Sequence, residues 1–119
     1  MKTLVVSLAA VALLAACGGG SSGPPPGAIT VKLTDYAFGP SSLTASSGKV
    51  VFYLVNSGTT GHDMVIRDSS KKRLGASEVV APGDSKVFTV DNIAAGSYEI
   101  FCSEPGHEAN GMVGKLTIT

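Results

Sequence analysis

Residues 97–119 read Ser97-Tyr98-Glu99-Ile100-Phe101-Cys102-Ser103-Glu104-Pro105-Gly106-His107-Glu108-Ala109-Asn110-Gly111-Met112-Val113-Gly114-Lys115-Leu116-Thr117-Ile118-Thr119. Both ends of this stretch alternate. Tyr98, Ile100 and Cys102 share one face of a strand over Ser97–Cys102. Leu116 and Ile118 point inward from a closing strand over Val113–Thr119. Between them, residues 103–111 carry Pro105, Gly106 and Gly111, which break regular pairing and mark a loop. A period of two on both sides of a Gly/Pro loop is the pattern of a sheet.

The same punctuation continues upstream. Ile29, Val31 and Leu33 alternate with Thr30, Lys32 and Thr34, as in a half-buried strand. Asp35 to Pro40 reads as a turn carrying two aromatics. Leu43–Ala45 is a short strand, and Lys49–Val55 is apolar on both faces, as a central strand requires. Asn56 to Gly61 is a polar loop. His62–Arg67 follows as a strand with His62, Met64 and Ile66 on one face, Met64 as a core residue. Asp68 to Val80 is the least regular part and reads as a loop with a short helical turn. Ala81 to Asp84 is a turn, and Lys86–Val90 is a further strand. After the first sixteen residues no segment sustains a capped helical period. The expected fold class is all-β: a Greek-key β-sandwich or barrel of about seven to eight strands over residues 28–119.

Set on that scaffold is an unusual group of donors. The chain has two histidines, and one of them, His107, shares the 103–111 loop with Cys102 and Met112 at its ends. The other, His62, opens a distant strand. A thiolate and a thioether are soft ligands and imidazole is borderline. Two His and one Cys with a weak axial Met is the donor set of a type 1 copper electron-transfer site. Such a mixed set serves both Cu(I) and Cu(II). No nucleophile and base pair stands out, so the residues do not point to an enzyme.

Over nearly all of residues 28–119 the sequence resembles the cupredoxin, or blue copper protein, family. The matching segments are Asp35-Tyr36-x-Phe38-x-Pro40, Gly48-Lys49-Val50, Asn56-x-Gly58, His62-Asp63-Met64, Tyr98 to His107, and Gly111-Met112-x-Gly114. Four residues separate Cys102 from His107 and four separate His107 from Met112. That spacing is longer than in plastocyanins, is similar to auracyanins and rusticyanin, and leaves plastocyanin and azurin as more distant likenesses. The resemblance implies one copper ion per chain, with His62, Cys102 and His107 as strong ligands and Met112 as the axial one. It also implies His107 as the electron entry or exit point. The chain departs from the family at Asp63, where an Asn often braces the ligand loop. An ionised carboxylate cannot donate as an amide does.

The N-terminus completes the organisation. After Lys2, Leu4–Ala16 is apolar apart from Ser7 and is too short for a membrane span of roughly 20 residues. It ends Leu14-Ala15-Ala16-Cys17, which resembles a bacterial lipobox. Residues 1–16 are therefore expected to be a lipoprotein signal peptide, with Cys17 the lipidated residue and 17–27 a Gly/Ser/Pro tether. Cys17 then carries lipid and Cys102 metal, so the two cysteines are not read as a disulfide. Overall charge is balanced, nine basic against nine acidic residues, with no long basic run to hold nucleic acid.

The expected function is a copper-binding one-electron carrier that is exported and lipid-anchored, at the periplasmic or extracytoplasmic face of a bacterial cytoplasmic membrane. Its expected partners are redox proteins, a cytochrome or an oxidase- or reductase-type donor and acceptor, and it is expected to be a monomer. The alternative is a periplasmic copper-binding or delivery protein using the same ligands. Two histidines are too few for a multicopper oxidase, and a binuclear site needs a second Cys in the loop. Phe101, which alternates outward, suits either an electron exit route or an exposed packing role. Glu104, Glu108 and Asp63 near the copper end suit either steering of a basic partner or plain solvation. Arg67, Lys71, Lys72 and Arg73 read chiefly as a solvated loop, with anionic lipid or an acidic partner as the other option.

Overall fold

The computed structural model describes residues 23–119. The expected leader at 1–16, Cys17 and the first part of the tether lie outside the described residues. Nine strands follow: β1 Ile29–Thr34, β2 Ala37–Gly39, β3 Ser42–Ala45, β4 Gly48–Asn56, β5 Val65–Arg67, β6 Arg73–Ala76, β7 Ser85–Ile93, β8 Gly96–Phe101 and β9 Val113–Ile118. There is no helix among the described residues. The strands form a four-stranded sheet in the order β2-β1-β4-β7 and a five-stranded sheet in the order β3-β9-β8-β5-β6. The fold is an all-β sandwich.

Alternation decides what each sheet buries. Val31 and Leu33 of β1, Val50, Phe52 and Leu54 of β4, Ile100 of β8, and Leu116 and Ile118 of β9 join one core. In β4, Tyr53 is also nearly buried, as befits a strand flanked on both sides by β1 and β7. The rings of Phe52 and Phe88 stack with centroids 5.8 Å apart.

Two pairings place the functional end. β1 runs parallel to β4, from Ile29 opposite Phe52 to Leu33 opposite Asn56. β8 and β9 pair antiparallel from Gly96 opposite Ile118 to Phe101 opposite Val113. Thus Asp35 emerges beside the loop after Asn56, and the 103–111 loop opens at the same end.

The structure corrects four local expectations. Residues 68–80 contain a hairpin rather than a helical turn. The Asp68 carboxylate accepts from the N–H groups of Ser70 and Lys72, both at 2.9 Å, and Lys71 takes a positive φ of 67°. That tight Asx-type turn sends the chain back as β6 against β5. Residues 37–39 of the expected turn pair with β1 as β2. Strand β7 continues through Asp91 and Asn92, because Ile93 is buried and pairs with Gly48 across a bulge. Finally, β5 begins only at Val65. His62 sits instead in an isolated bridge with Val80, and Asp63 and Val65 are buried as well as Met64 and Ile66.

Candidate metal centre

The donor loop is a clamped hairpin end. Just beyond the last β8–β9 pair, the Cys102 N–H donates to the Met112 carbonyl at 3.1 Å, and the Met112 N–H donates back to the His107 carbonyl at 3.1 Å. His107 N–H to Glu104 and Asn110 N–H to Gly106 tighten the turn between. Three donor residues are therefore fixed by backbone hydrogen bonds rather than by side-chain packing alone. Gly106 and Gly111 take positive φ values of 82° and 106°, a conformation that side chains resist.

The fourth donor arrives from the other side. His62 exchanges both backbone hydrogen bonds with Val80, at 3.2 and 2.8 Å. The buried Asn56 side chain holds the preceding loop. Its amide donates to the carbonyls of Thr60 and Val80, both at 2.8 Å, and its oxygen accepts from the Gly58 N–H. The His62 ring then reaches back to Asp35, with Nε2 2.6 Å from Oδ1. Nε2 must carry the proton to donate to a carboxylate, which leaves a lone pair on Nδ1.

The three donor atoms converge. His62 Nδ1 lies 3.1 Å from His107 Nδ1, and the Cys102 sulfur lies 3.5 Å from His107 Nδ1 and 3.9 Å from His62 Nδ1. Metal–nitrogen and metal–sulfur bonds of about 2.0–2.3 Å fit an ion inside such a triangle. His62 and Met112 are fully buried, Cys102 nearly so, and His107 keeps 9% exposure. Tyr36 covers the pair, its ring centroid 4.9 Å from that of His107 and 6.3 Å from that of His62. Burial pushes the Cys102 thiol up to about 11. Without metal the sulfur keeps its proton at neutral pH, and a bound cation must displace it to gain a thiolate ligand. One thiol that becomes a soft thiolate on binding, two imidazoles and the buried Met112 at the end of the same loop match the donor set of type 1 copper.

The family model of the cupredoxin-like domain matches residues 4–118. The chain belongs to the cupredoxin family. Among curated relatives, this cupredoxin is 30% identical over 88 residues to the chloroplastic plastocyanin of Pisum sativum, covering 69% of this chain and 51% of that protein. It is 30% identical over 97 residues to the copper-resistant cuproprotein CopI of Rubrivivax gelatinosus, covering 68% of this chain and 59% of that one. It thus spans little more than half the length of either. Among solved structures, auracyanin B superposes with a TM-score of 0.71 at 23% identity, over 85% of this chain and 96% of that one. Reduced auracyanin from Roseiflexus castenholzii gives 0.69 at 21% identity, over 78% and 97%.

In this cupredoxin the Asp63 carboxylate braces the ligand loop after all, by accepting instead of donating. Its Oδ1 takes the Ser103 N–H at 2.7 Å and its Oδ2 takes the Ser103 hydroxyl. Asp63→Ala leaves both donors without a partner. It is expected to cost the metal-free protein about 1–3 kcal/mol in urea denaturation, while Asp63→Asn, which can still accept the N–H, stays near wild type. Equal losses in the two variants would refute the bracing role.

Other surface expectations also change. Phe101 is buried, 3% exposed, because the Arg67 guanidinium lies 4.0 Å over its ring and that of Arg73 5.2 Å. Arg67 in turn pairs with Glu99 and with Glu108, the latter at 2.5 Å. Arg67 is thus a strut between β5, β8 and the ligand loop rather than a member of a free basic patch. Glu108 and Asp63 are engaged likewise, so neither is a free steering charge.

Sequence reading assigned no role to Asp35, Asn56, Gly58 or Tyr36. Asp35 and Asn56-x-Gly58 stood in the matching segments, but only the parallel β1–β4 register brings them together at His62.

Proposed function

We propose that this protein is a one-electron carrier built on a type 1 copper centre held by His62, Cys102, His107 and Met112. The observation that carries the reading is the buried triangle of the Cys102 sulfur and the Nδ1 atoms of His62 and His107. Copper in such a set accepts a single electron and releases it again, passing between Cu(II) and Cu(I). The chain's part is to hold the donors still. The clamped loop, the Asn56 brace and the sandwich behind them limit the rearrangement that each change of charge would otherwise demand. His107 retains the largest surface exposure of the four ligands and is the contact point for redox partners, with Tyr36 beside it. Those partners are a cytochrome or an oxidase- or reductase-type donor and acceptor. The Leu14-Ala15-Ala16-Cys17 motif supports an exported, lipid-anchored carrier on the extracytoplasmic face of a bacterial membrane, working as a monomer.

The likeness to a copper-resistance protein favours a second reading, copper binding and delivery. One experiment divides them. The full chain is loaded with Cu(II), and its visible and EPR spectra, electron self-exchange rate and copper loss to a chelator are measured. An intense thiolate-to-copper band with fast self-exchange and retained copper is expected. Ready release of copper with slow self-exchange would favour delivery, and a colourless protein would refute both the site and the carrier role.

A further inference from the structure

The contact between His62 and Asp35 goes beyond ligand placement. The carboxylate oxygen Oδ1 lies 2.6 Å from His62 Nε2, on the far side of the ring from the donor triangle. Asp35 is itself anchored. The Thr59 N–H donates to Oδ2 at 3.0 Å and the Thr59 hydroxyl donates to the same oxygen. Thr59 is held in place by the loop that Asn56 braces.

The space around the contact is closed. A Cβ on Gly58 would lie 2.3 Å from Asp35 Oδ1 and 2.9 Å from His62 Nε2, so only a hydrogen fits there. The Asp35 side chain is 22% exposed and the His62 side chain not at all. Among the described residues no lysine or arginine pairs with Asp35. The other paired carboxylates, Glu78, Glu99 and Glu108, each face a cation instead. Beside the neutral Thr59, the Asp35 carboxylate therefore has one ionisable partner, His62, a candidate donor to the metal.

We propose that Asp35 is a positioning and charge-tuning residue for the copper centre. It fixes His62 as the Nε2–H tautomer, aims Nδ1 at the ion, and through the ring supplies negative charge that favours Cu(II) over Cu(I). The inference rests on the copper reading above. A carboxylate behind a ligating imidazole raises its basicity, and loss of such a partner typically costs about 10–100-fold in metal affinity.

The test compares the full wild-type chain with Asp35→Asn and Asp35→Ala. An Asn oxygen can still accept from Nε2–H and from the Thr59 N–H, which lies 3.2 Å from Oδ1, while the Asn NH2 in place of Oδ2 can donate to the Thr59 hydroxyl oxygen. Asp35→Asn thus keeps the contact with His62 and removes charge, and Asp35→Ala removes both. In the metal-free proteins, nitrogen-15 NMR of the imidazoles is expected to show the Nε2–H tautomer of His62 in wild type and Asp35→Asn, and a mixture in Asp35→Ala. With copper, Asp35→Asn is expected to keep the thiolate band and to lose about tenfold of the preference for Cu(II) over Cu(I). For one electron that is a rise of about 59 mV in reduction potential. Asp35→Ala is expected to lose Cu(II) affinity by about 10–100-fold.

A wild-type His62 carrying its proton on Nδ1, or an Asp35→Asn potential equal to wild type in a protein that shows the band, overturns the role of Asp35 and leaves the copper centre standing. Absence of the band in wild type overturns the copper centre itself. If Asp35→Ala does not fold, the Asp35→Asn potential and the wild-type tautomer still decide the matter.

Discussion

A Cys102→Ser protein is expected to fold, to stay colourless with Cu(II), and to bind copper far more weakly than wild type. Cys102 is the only thiol among the donors and lies at the centre of the hydrogen-bonded hairpin end, its N–H on the Met112 carbonyl. The intense visible band of a type 1 centre arises from charge transfer out of the thiolate, so an alkoxide or hydroxyl in its place removes the band altogether. Affinity falls for the same reason. Losing a mere outer partner of a ligand costs about 10–100-fold, so losing the softest ligand should exceed the upper end of that range. The fold has less at stake. The Ser hydroxyl occupies nearly the same volume and faces the Nδ1 atoms of His62 and His107, which can satisfy it. Optical titration with Cu(II) and urea denaturation of the metal-free variant check both halves. Persistence of the band in Cys102→Ser would remove Cys102 from the site.

The largest loss of stability is expected at Phe52→Ala. Phe52 is fully buried at the middle of β4, flanked by β1 and β7, with its ring stacked on Phe88. Emptying such a position costs about 3–5 kcal/mol, from lost transfer energy and from the cavity left behind. A typical domain has about 5–15 kcal/mol in total, so the metal-free variant sits near the edge of unfolding. Copper should rescue it in part. A ligand bound only by the folded state adds about 4 kcal/mol at a thousandfold excess over its Kd. Urea midpoints of wild type and Phe52→Ala, each with and without copper, test this. A variant that unfolds at the wild-type midpoint would contradict the burial of the ring.

The alternating residues made much of this legible in advance. β1, β8 and β9 announce themselves by period two and β4 by a run that is apolar on both faces, and the sandwich class follows from them. His62, Cys102 and His107 are brought together as their chemistry implied. What stayed hidden is long-range or depends on one turn. β6 exists because the Asp68 carboxylate closes a hairpin, a detail that a Lys/Arg-rich segment masks. Phe101 has the parity of an outward residue, yet Arg67 from the neighbouring strand covers it, since the β5–β8 register sets Arg67 opposite Glu99. Asp35 and His62 are far apart along the chain, and only a parallel pairing makes them neighbours. Asp63 shows that an acceptor can do the bracing of a donor when the partner is a backbone N–H and a hydroxyl.

The parallel run of β1 gives the molecule a direction. Pro26 and Gly27 sit at the starting pole of β1, near Ala45 and Lys49, where Thr119 also bonds to Ala45 and Ser47. Six residues of strand, about 20 Å at 3.3–3.4 Å each, carry the chain from there to the pole that holds Asp35, His62 and His107. The chain thus enters the described fold at the pole opposite the triangle of His62, Cys102 and His107.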